Sequence, residues 1–399
     1  MTFRSRSILL GICFTILFSV NSLAQGQSPE EQAAVSLLRA GKTDEALLAF
    51  NKLLQTNPNN VNARGAVAQL YLNKGDYAAA YKTATDAMKT APDAAFLAIS
   101  AATASLKLDK PEEALRLMDA LIVKQPSMED AHYLRGRALD AEAKVQQAIG
   151  AYSKAISLKP EFPDVYYNRG ADFYEISRYA DALKDLNKLL ELDGSWSLGY
   201  NKRGMTNYAL GNMDAAISDY TKTISLEPSS AIPYANRGLI YLERKQIDAA
   251  KSDFQKAISL EANYAEGHYG LARVYNEQRE FAQALTEIQR AISLNEKMPA
   301  YLAVYCATLI GLNRDGEAIP VAEKILAMNP KNPDGWMYKA AAQSNMSNFA
   351  AAITTMNSAI AELPDNYLMY ALRAGIYRQQ GNTSAAAADD AKAKSLGTH

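Results

Sequence analysis

Apolar and small side chains return along this chain at a fixed interval of 34 residues. One column is alanine without exception: Ala46, Ala80, Ala114, Ala148, Ala182, Ala216, Ala250, Ala284, Ala318, Ala352 and Ala386. Twelve residues earlier stands a column of small side chains, Ala34, Ala68, Ala102, Gly136, Gly170, Gly204, Gly238, Ala272, Cys306, Ala340 and Ala374. Twelve residues after each alanine most members break helices: Pro58, Pro92, Pro126, Pro160, Gly194, Pro228, Ala262, Glu296, Pro330 and Pro364. Small residues on two successive helices let those helices approach and cross, and proline ends the second one. Each unit therefore predicts a helix, a turn, a second helix and a stop. The turns are visible as Lys74-Gly75-Asp76-Tyr77 and Leu210-Gly211-Asn212-Met213, where glycine supplies a helix end. Phe50, Tyr152, Tyr220 and Phe254 stand four residues after the alanine, on the same helix face, and are expected to fill the seam between hairpins.

Counted from unit starts near residues 27, 61, 95, 129, 163, 197, 231, 265, 299, 333 and 367, these columns fall at positions 8, 20, 24 and 32. Gly136, Ala148, Tyr152 and Pro160 show the set in one unit. The pattern resembles the tetratricopeptide repeat family over residues 27–399. The resemblance implies an all-α fold, a right-handed α-α superhelical solenoid of about eleven 34-residue helix-turn-helix repeats, with a concave groove that binds peptides or partner proteins. Which partner it binds does not follow from the fold. In the last unit Asp390 replaces the bulky residue, with Asp389, Lys392 and Lys394 around it, and that helix reads as a polar cap. Pro320, with Gly316 before it, predicts that the second helix of the ninth unit either starts late or bends.

A charged pattern runs through the same lattice. Position 7 holds Arg135, Arg169, Arg203, Arg237 and Arg373, and position 23 holds Asp185, Asp219, Asp253 and Asp389. Each Asp occurs in a unit that also has the Arg, which predicts ion pairs inside hairpins, because a cation entering a half-buried seam has to be matched. Arg135 has Ala151 at the corresponding place and must find another acceptor or reach solvent.

Composition adds limits. With 48% apolar and 21% charged residues the chain can bury a core, and its length of 399 residues, which alone would suggest two or three domains, is explained by repetition. A net charge of −1 with no basic run gives no footprint for nucleic acid or an anionic bilayer. Arg4 and Arg6, the uncharged stretch Ile8 to Val20, and small Ser22 and Ala24 have the layout of a secretory signal peptide over residues 1–24. A retained membrane anchor is the alternative, although the apolar run is short for a bilayer. Cleavage would remove Cys13 and leave 40 basic against 43 acidic side chains, with Cys306 alone and no intrachain disulfide. The chain is thus expected to be exported, periplasmic or secreted and bacterial, with no stable membrane insertion once the signal is removed. Asn345-Met346-Ser347 and Asn382-Thr383-Ser384 would matter as sequons only in a eukaryotic secretory pathway.

Residues for chemistry are sparse. His132 and His268 occupy corresponding sites in distant units and are expected on helix surfaces, and Cys306 stands in the small-residue column as a packing residue. No phosphate loop, nucleophile elbow or metal-ligand spacing is present, so no catalytic residue, metal or cofactor is expected. By resemblance, positions 2, 5, 9 and 12 of each first helix line the groove. They are Asp130, Tyr133, Arg137 and Asp140, then Asp164, Tyr167, Ala171 and Tyr174, then Leu198, Asn201, Met205 and Tyr208. Ile232, Ala235, Leu239 and Leu242 follow, then Glu266, Tyr269, Arg273 and Asn276. Of these, Asp130, Tyr133, Arg137, Tyr167, Tyr174, Asn201, Met205, Tyr208, Leu239, Tyr269 and Arg273, together with Asn168 at position 6, form the expected partner-binding groove. Apolar side chains of a partner would rest on Met205, Tyr208 and Leu239 while Arg137 and Arg273 meet acidic or terminal groups. Equally, neighbouring helices could cover this surface and the tyrosines be spacers. The paired Lys and Asn used by family members that clamp chaperone tails do not match here. The function expected is a non-catalytic adaptor; the alternative is a cell-envelope assembly factor acting by self-association or by stacking tyrosines on envelope glycan.

Overall fold

The computed structural model describes residues 28–397, so the expected signal segment lies outside the described residues. Within them all regular structure is helical, in 22 helices, α1 to α22 in chain order. Odd-numbered helices are the first helices of hairpins and even-numbered ones the second; for example α3 spans Val61–Lys74 and α4 Tyr77–Met88. The helices used below are α7 (Glu129–Ala141), α8 (Val145–Leu158), α9 (Pro163–Glu175), α10 (Tyr179–Leu192) and α11 (Ser197–Ala209), then α13 (Ala231–Glu243), α14 (Ile247–Leu260), α15 (Ala265–Glu277), α16 (Phe281–Leu294) and α18 (Asp315–Met328).

The chain divides into two compact units, one ending at Asp219 and one beginning at Tyr220. In each, a first helix packs on its own second helix, the second helix packs on the first helix of the next hairpin, and first helices also touch one another, as α7, α9 and α11 do in the first unit and α13 and α15 in the second. First helices therefore form the tighter, inner layer of each unit.

The alanine column explains the close approach. Ala46, Ala80, Ala114, Ala148 and Ala182 in the first unit and Ala250, Ala284, Ala318 and Ala352 in the second are completely buried. The bulky column fills the seams as expected, with Phe50, Tyr152, Tyr220 and Phe254 buried. A Cβ at Gly136 would stand 2.5 Å from the Tyr152 ring, so only glycine lets α7 approach α8 here. Cys306 is fully buried, its thiol directed at the Ala318 carbonyl 3.6 Å away and pushed up to about 12 by burial, so it packs and is not poised as a thiolate.

Each hairpin turn places one residue in the left-handed region. Gly41, Gly75, Gly211 and Gly381 do so at little cost, but Asp109, Ala143, Ser177, Lys245, Arg279, Asn313 and Ser347 adopt φ between 57° and 62° as well. The compensation is a helix-end motif in which the next N–H returns to a carbonyl five residues back, Lys144 to Leu139 and Arg178 to Phe173 for instance. At Pro320 the late start is ruled out. Helix α18 has the same 14-residue length as α16 and carries the proline inside it.

The histidines are not on the surface, which corrects that expectation. His132 and His268 are buried, and each turns Nε2 to the carbonyl six residues back, Pro126 at 2.9 Å and Ala262 at 3.1 Å. The same place on other first helices does the same work: Arg64 donates to the Pro58 carbonyl, Trp336 to Pro330 and Tyr370 to Pro364. This position latches a first helix to the chain entering it, and a histidine there spends a ring proton on structure.

Candidate partner-binding surface

The arginines of position 7 are structural. Arg169 forks onto Asp185 with two bonds of 2.7 Å, and Arg203 onto Asp219, Arg237 onto Asp253 and Arg373 onto Asp389 likewise, as the sixteen-residue spacing predicts. Their third nitrogen adds what the sequence reading missed. Arg169 Nη1 reaches Ser153, Arg203 Nη1 reaches Asn187, Arg237 Nη1 reaches Thr221 and Arg373 Nη1 reaches Asn357, all on the preceding hairpin. Arg135 takes Asp119 from that same place at 2.6 Å, and Lys339 takes Glu323 at 2.8 Å. A readable column carries this, since position 25 is polar in Asn51, Thr85, Asp119, Ser153, Asn187, Thr221, Gln255, Gln289, Glu323 and Asn357. These charges are turned to the seams and are spoken for.

The groove positions of the first unit are different in kind. Tyr133 stands on α7 with its ring 5.0 Å from Phe162 and 6.2 Å from Tyr152, and burial pushes its hydroxyl up to about 12. Asn168 on α9 donates to the Asp164 backbone carbonyl at 2.7 Å and lies 3.5 Å from the Tyr133 hydroxyl. Tyr167 stacks on Trp196 at 5.8 Å and 19°, and Tyr174 lies 5.3 Å from Tyr179 with the Lys202 ammonium 5.1 Å from its ring centroid. Burial raises the carboxyls of Asp130 and Asp164 and lowers the ammonium of Lys202. Asn201 and Met205 are half-buried on α11 and face each other at 3.9 Å, while Tyr208 is 38% exposed. Arg137 is buried, its guanidinium 5.7 Å from the Tyr133 ring centroid.

Tyr133, Arg137, Asp164 and Asn168 are thus brought into one neighbourhood. Phe162 and Trp196, which complete the aromatic pairs, were not anticipated. The signal was the aromatic residue at position 34, just ahead of the first helix, in Phe162, Trp196 and Tyr264.

In the second unit Leu239 is half-buried among the side chains joining α13, α14 and α15. Tyr269 stacks on Tyr301 at 4.9 Å, and the Arg273 guanidinium stands 5.6 Å from the Tyr269 ring centroid, repeating the Arg137 and Tyr133 arrangement four hairpins later.

Two open depressions, about 290 and about 500 Å³, lie along other residues, the first among Met88, Pro92 and Leu121 and the second among Tyr166, Arg169 and Asp185. Neither includes a groove residue. Among the described residues no three His, Cys, Asp or Glu side chains gather in a metal-binding arrangement, and no helix is long and apolar enough to cross a membrane.

Comparison with known proteins agrees with the repeat reading. Residues 144–176, 199–230, 241–305 and 342–397 match models of the tetratricopeptide repeat, and residues 39–121 match that of the anaphase-promoting complex, cyclosome, subunit 3. Among solved structures, a tetratricopeptide repeat protein from Parabacteroides merdae is similar over 59% of this chain and 94% of its own, at 18% identity and a TM-score of 0.50. The Cut9-Hcn1 hetero-tetramer of the APC/C is similar over 96% and 90%, at 17% identity and a TM-score of 0.49. YrrB, described as a TPR protein with an unusual peptide-binding site, covers 46% and 95% at 17% identity and a TM-score of 0.40. Identities this low speak to fold alone. No curated protein matches the chain.

Proposed function

We propose that this chain, an array of tetratricopeptide repeats, is an exported, non-catalytic adaptor that holds an extended segment of a partner protein on the inner layer of its fourth to sixth hairpins. One observation carries the reading: Tyr133 with Phe162, and Tyr167 with Trp196, form aromatic pairs one hairpin apart. The half-buried carboxyls of Asp130 and Asp164 stand beside them. Half-buried aromatic pairs repeated from one hairpin to the next, with carboxyls beside them, suit a side-chain-bearing strand of polypeptide better than a small metabolite, which needs a concave enclosure. The basic and apolar pattern of residues 1–24 supports export.

The stacked pair of Tyr167 and Trp196 also suits a sugar ring, which keeps envelope glycan as the second reading. A photoreactive residue at Tyr208, against one at the 73%-exposed Leu48 as control, separates the two in living cells. Polypeptide adducts enriched at position 208 support the adaptor. Glycan adducts or adducts between copies of the chain support the assembly reading, and equal yields at both positions refute a face-specific partner. Amino-terminal sequencing of the protein from fractionated cells tests export; a chain retaining Met1 in the cytoplasm refutes it.

A further inference from the structure

The aromatic pairs of the inner layer recur like rungs. Tyr133 with Phe162 and Tyr167 with Trp196 hold the same two places in the fourth and fifth hairpins, and half-buried Ile99 and Met128 hold them in the third. Gly65 and Ala94 before the run and Asn201 after it bring the rungs to an end. The step between rungs is the separation of first helices in contact, about 8–10 Å. A polypeptide that sets equivalent side chains on successive rungs has to repeat at that distance. A β-strand returns to one face every about 6.6 Å and drifts off the rungs, and an α-helix returns every about 5.4 Å, so that alternate turns meet gaps. A polyproline II helix repeats every three residues, or about 9.3 Å, and advances one rung per turn.

Such a segment makes no internal hydrogen bonds, so its carbonyls need donors. Trp196 offers one. Its ring is half-buried and its indole N–H has no partner among the described residues, whereas Trp336, the other tryptophan, spends its N–H on the Pro330 carbonyl. Charge selects further. Asp130 and Asp164 stand one helical turn before Tyr133 and Tyr167, and among the described residues neither enters an ion pair. Lys159, which acts on Asp130 through space, is held by Glu129 at 3.5 Å, and Arg137, which acts on Asp164, faces the Tyr133 ring. Phe96 and Leu198 hold the corresponding place in the hairpins on either side, so the two carboxyls accompany the aromatic rungs alone.

We propose that the fourth and fifth hairpins hold a proline-rich, basic segment of the partner in polyproline II form, its prolines against Tyr133, Phe162, Tyr167 and Trp196 and its Lys or Arg side chains on Asp130 and Asp164. Prolines suit the rungs because the segment is already extended when free and loses little freedom on binding. This rests on the peptide-binding reading above and names the class of peptide.

Full-length protein is titrated with three peptides, each of three repeats. Pro-Pro-Lys carries both features, Ala-Ala-Lys keeps the charge and loses the conformation, and Pro-Pro-Glu keeps the conformation and reverses the charge. Pro-Pro-Lys binds at least about tenfold tighter than either of the others and shifts the emission of Trp196, read with Trp336→Phe to remove the second tryptophan. Trp196→Leu weakens that binding about fivefold, and Asp130→Asn with Asp164→Asn removes the preference for Lys over Glu, each with the circular dichroism of the wild type. Tyr269→Leu, in the second unit, leaves all three affinities unchanged.

Ala-Ala-Lys or Pro-Pro-Glu bound as tightly as Pro-Pro-Lys by the wild type overturns the inference and leaves the peptide-binding reading standing. Saturable binding of Pro-Pro-Lys without a change in Trp196 emission puts the segment elsewhere and also overturns it. So does retention of none of the three peptides. Polypeptide adducts at Tyr208 then keep the adaptor reading, and their absence removes both.

Discussion

Phe254 offers a direct measure of how tightly the hairpins are fitted. Its ring is completely buried between two glycines, Gly238 on α13 of its own hairpin and Gly270 on α15 of the next. A Cβ at Gly238 would lie 3.1 Å from the ring, a squeeze of a few tenths of an ångström, whereas a Cβ at Gly270 would lie 2.1 Å away, well inside contact. Both glycines are helix-interior, so Gly→Ala brings the same gain of about 1 kcal/mol in helix propensity, and that gain cancels when the variants are compared. Overpacking a full core costs about 1–3 kcal/mol and more when the neighbour has no room to turn. Gly270→Ala should therefore be less stable than Gly238→Ala by about 2–3 kcal/mol in urea unfolding followed by circular dichroism. Hydrogen exchange should place the loss in α14 and α15, because hairpins in a stack couple to their neighbours. Phe254→Leu should shrink the difference between the two alanine variants. Two alanine variants within about 0.5 kcal/mol of each other would refute the claim that this ring sets the approach of α15.

Other expectations are as specific. Arg237→Met leaves Asp253, 6% exposed, as a buried charge without its fork and should cost about 3–5 kcal/mol in the same assay, while Arg237→Met with Asp253→Leu recovers most of it. His268 points both ring nitrogens at acceptors, Glu287 at 2.6 Å and the Ala262 carbonyl, and is doubly protonated when both bonds form. The Glu287 bond raises its pKa above 6.5, so its contribution is complete below that pH and is lost as pH climbs through the raised value. The stability difference between wild type and His268→Gln should shrink over that interval; a difference independent of pH would dismiss the imidazolium. Cys306 should resist a thiol reagent in the folded protein and react at once in denaturant, and fast native labelling would contradict its burial.

What could be read from the sequence follows from how the information is stored. The alanine column, Gly136 against Tyr152 and the Arg–Asp pairs are contacts inside one hairpin, so both partners lie within a single period and their spacing betrays them. The bonds from Arg169 to Ser153 and from Arg203 to Asn187 join successive hairpins, and Ser or Asn in one column looks like an ordinary wet helix face until the stack is built. His132 and His268 were weighed as a distant pair for chemistry, and that question concealed what they share with Trp336 and Tyr370 at the same place in the period. Arg137 is a groove residue by the family pattern, and its contact with Tyr133 follows from the four-residue spacing on α7, but its burial depends on neighbouring hairpins and is legible only once they are stacked.

The double reach of the position 7 side chains also bears on how the protein would come apart under load. Where Arg237 grips both its own hairpin and Thr221 behind it, two hairpins are riveted and must yield together. Leu271 and Tyr305 occupy the equivalent places in the next two hairpins and offer no rivet, until Lys339 restores one through Glu323. Val67 and Ala101 hold the same place in the second and third hairpins, so a chain stretched from its ends in an optical trap should tear first at these unriveted joints and at those on either side of α15 and α16, leaving the riveted hairpins as the last pieces to surrender.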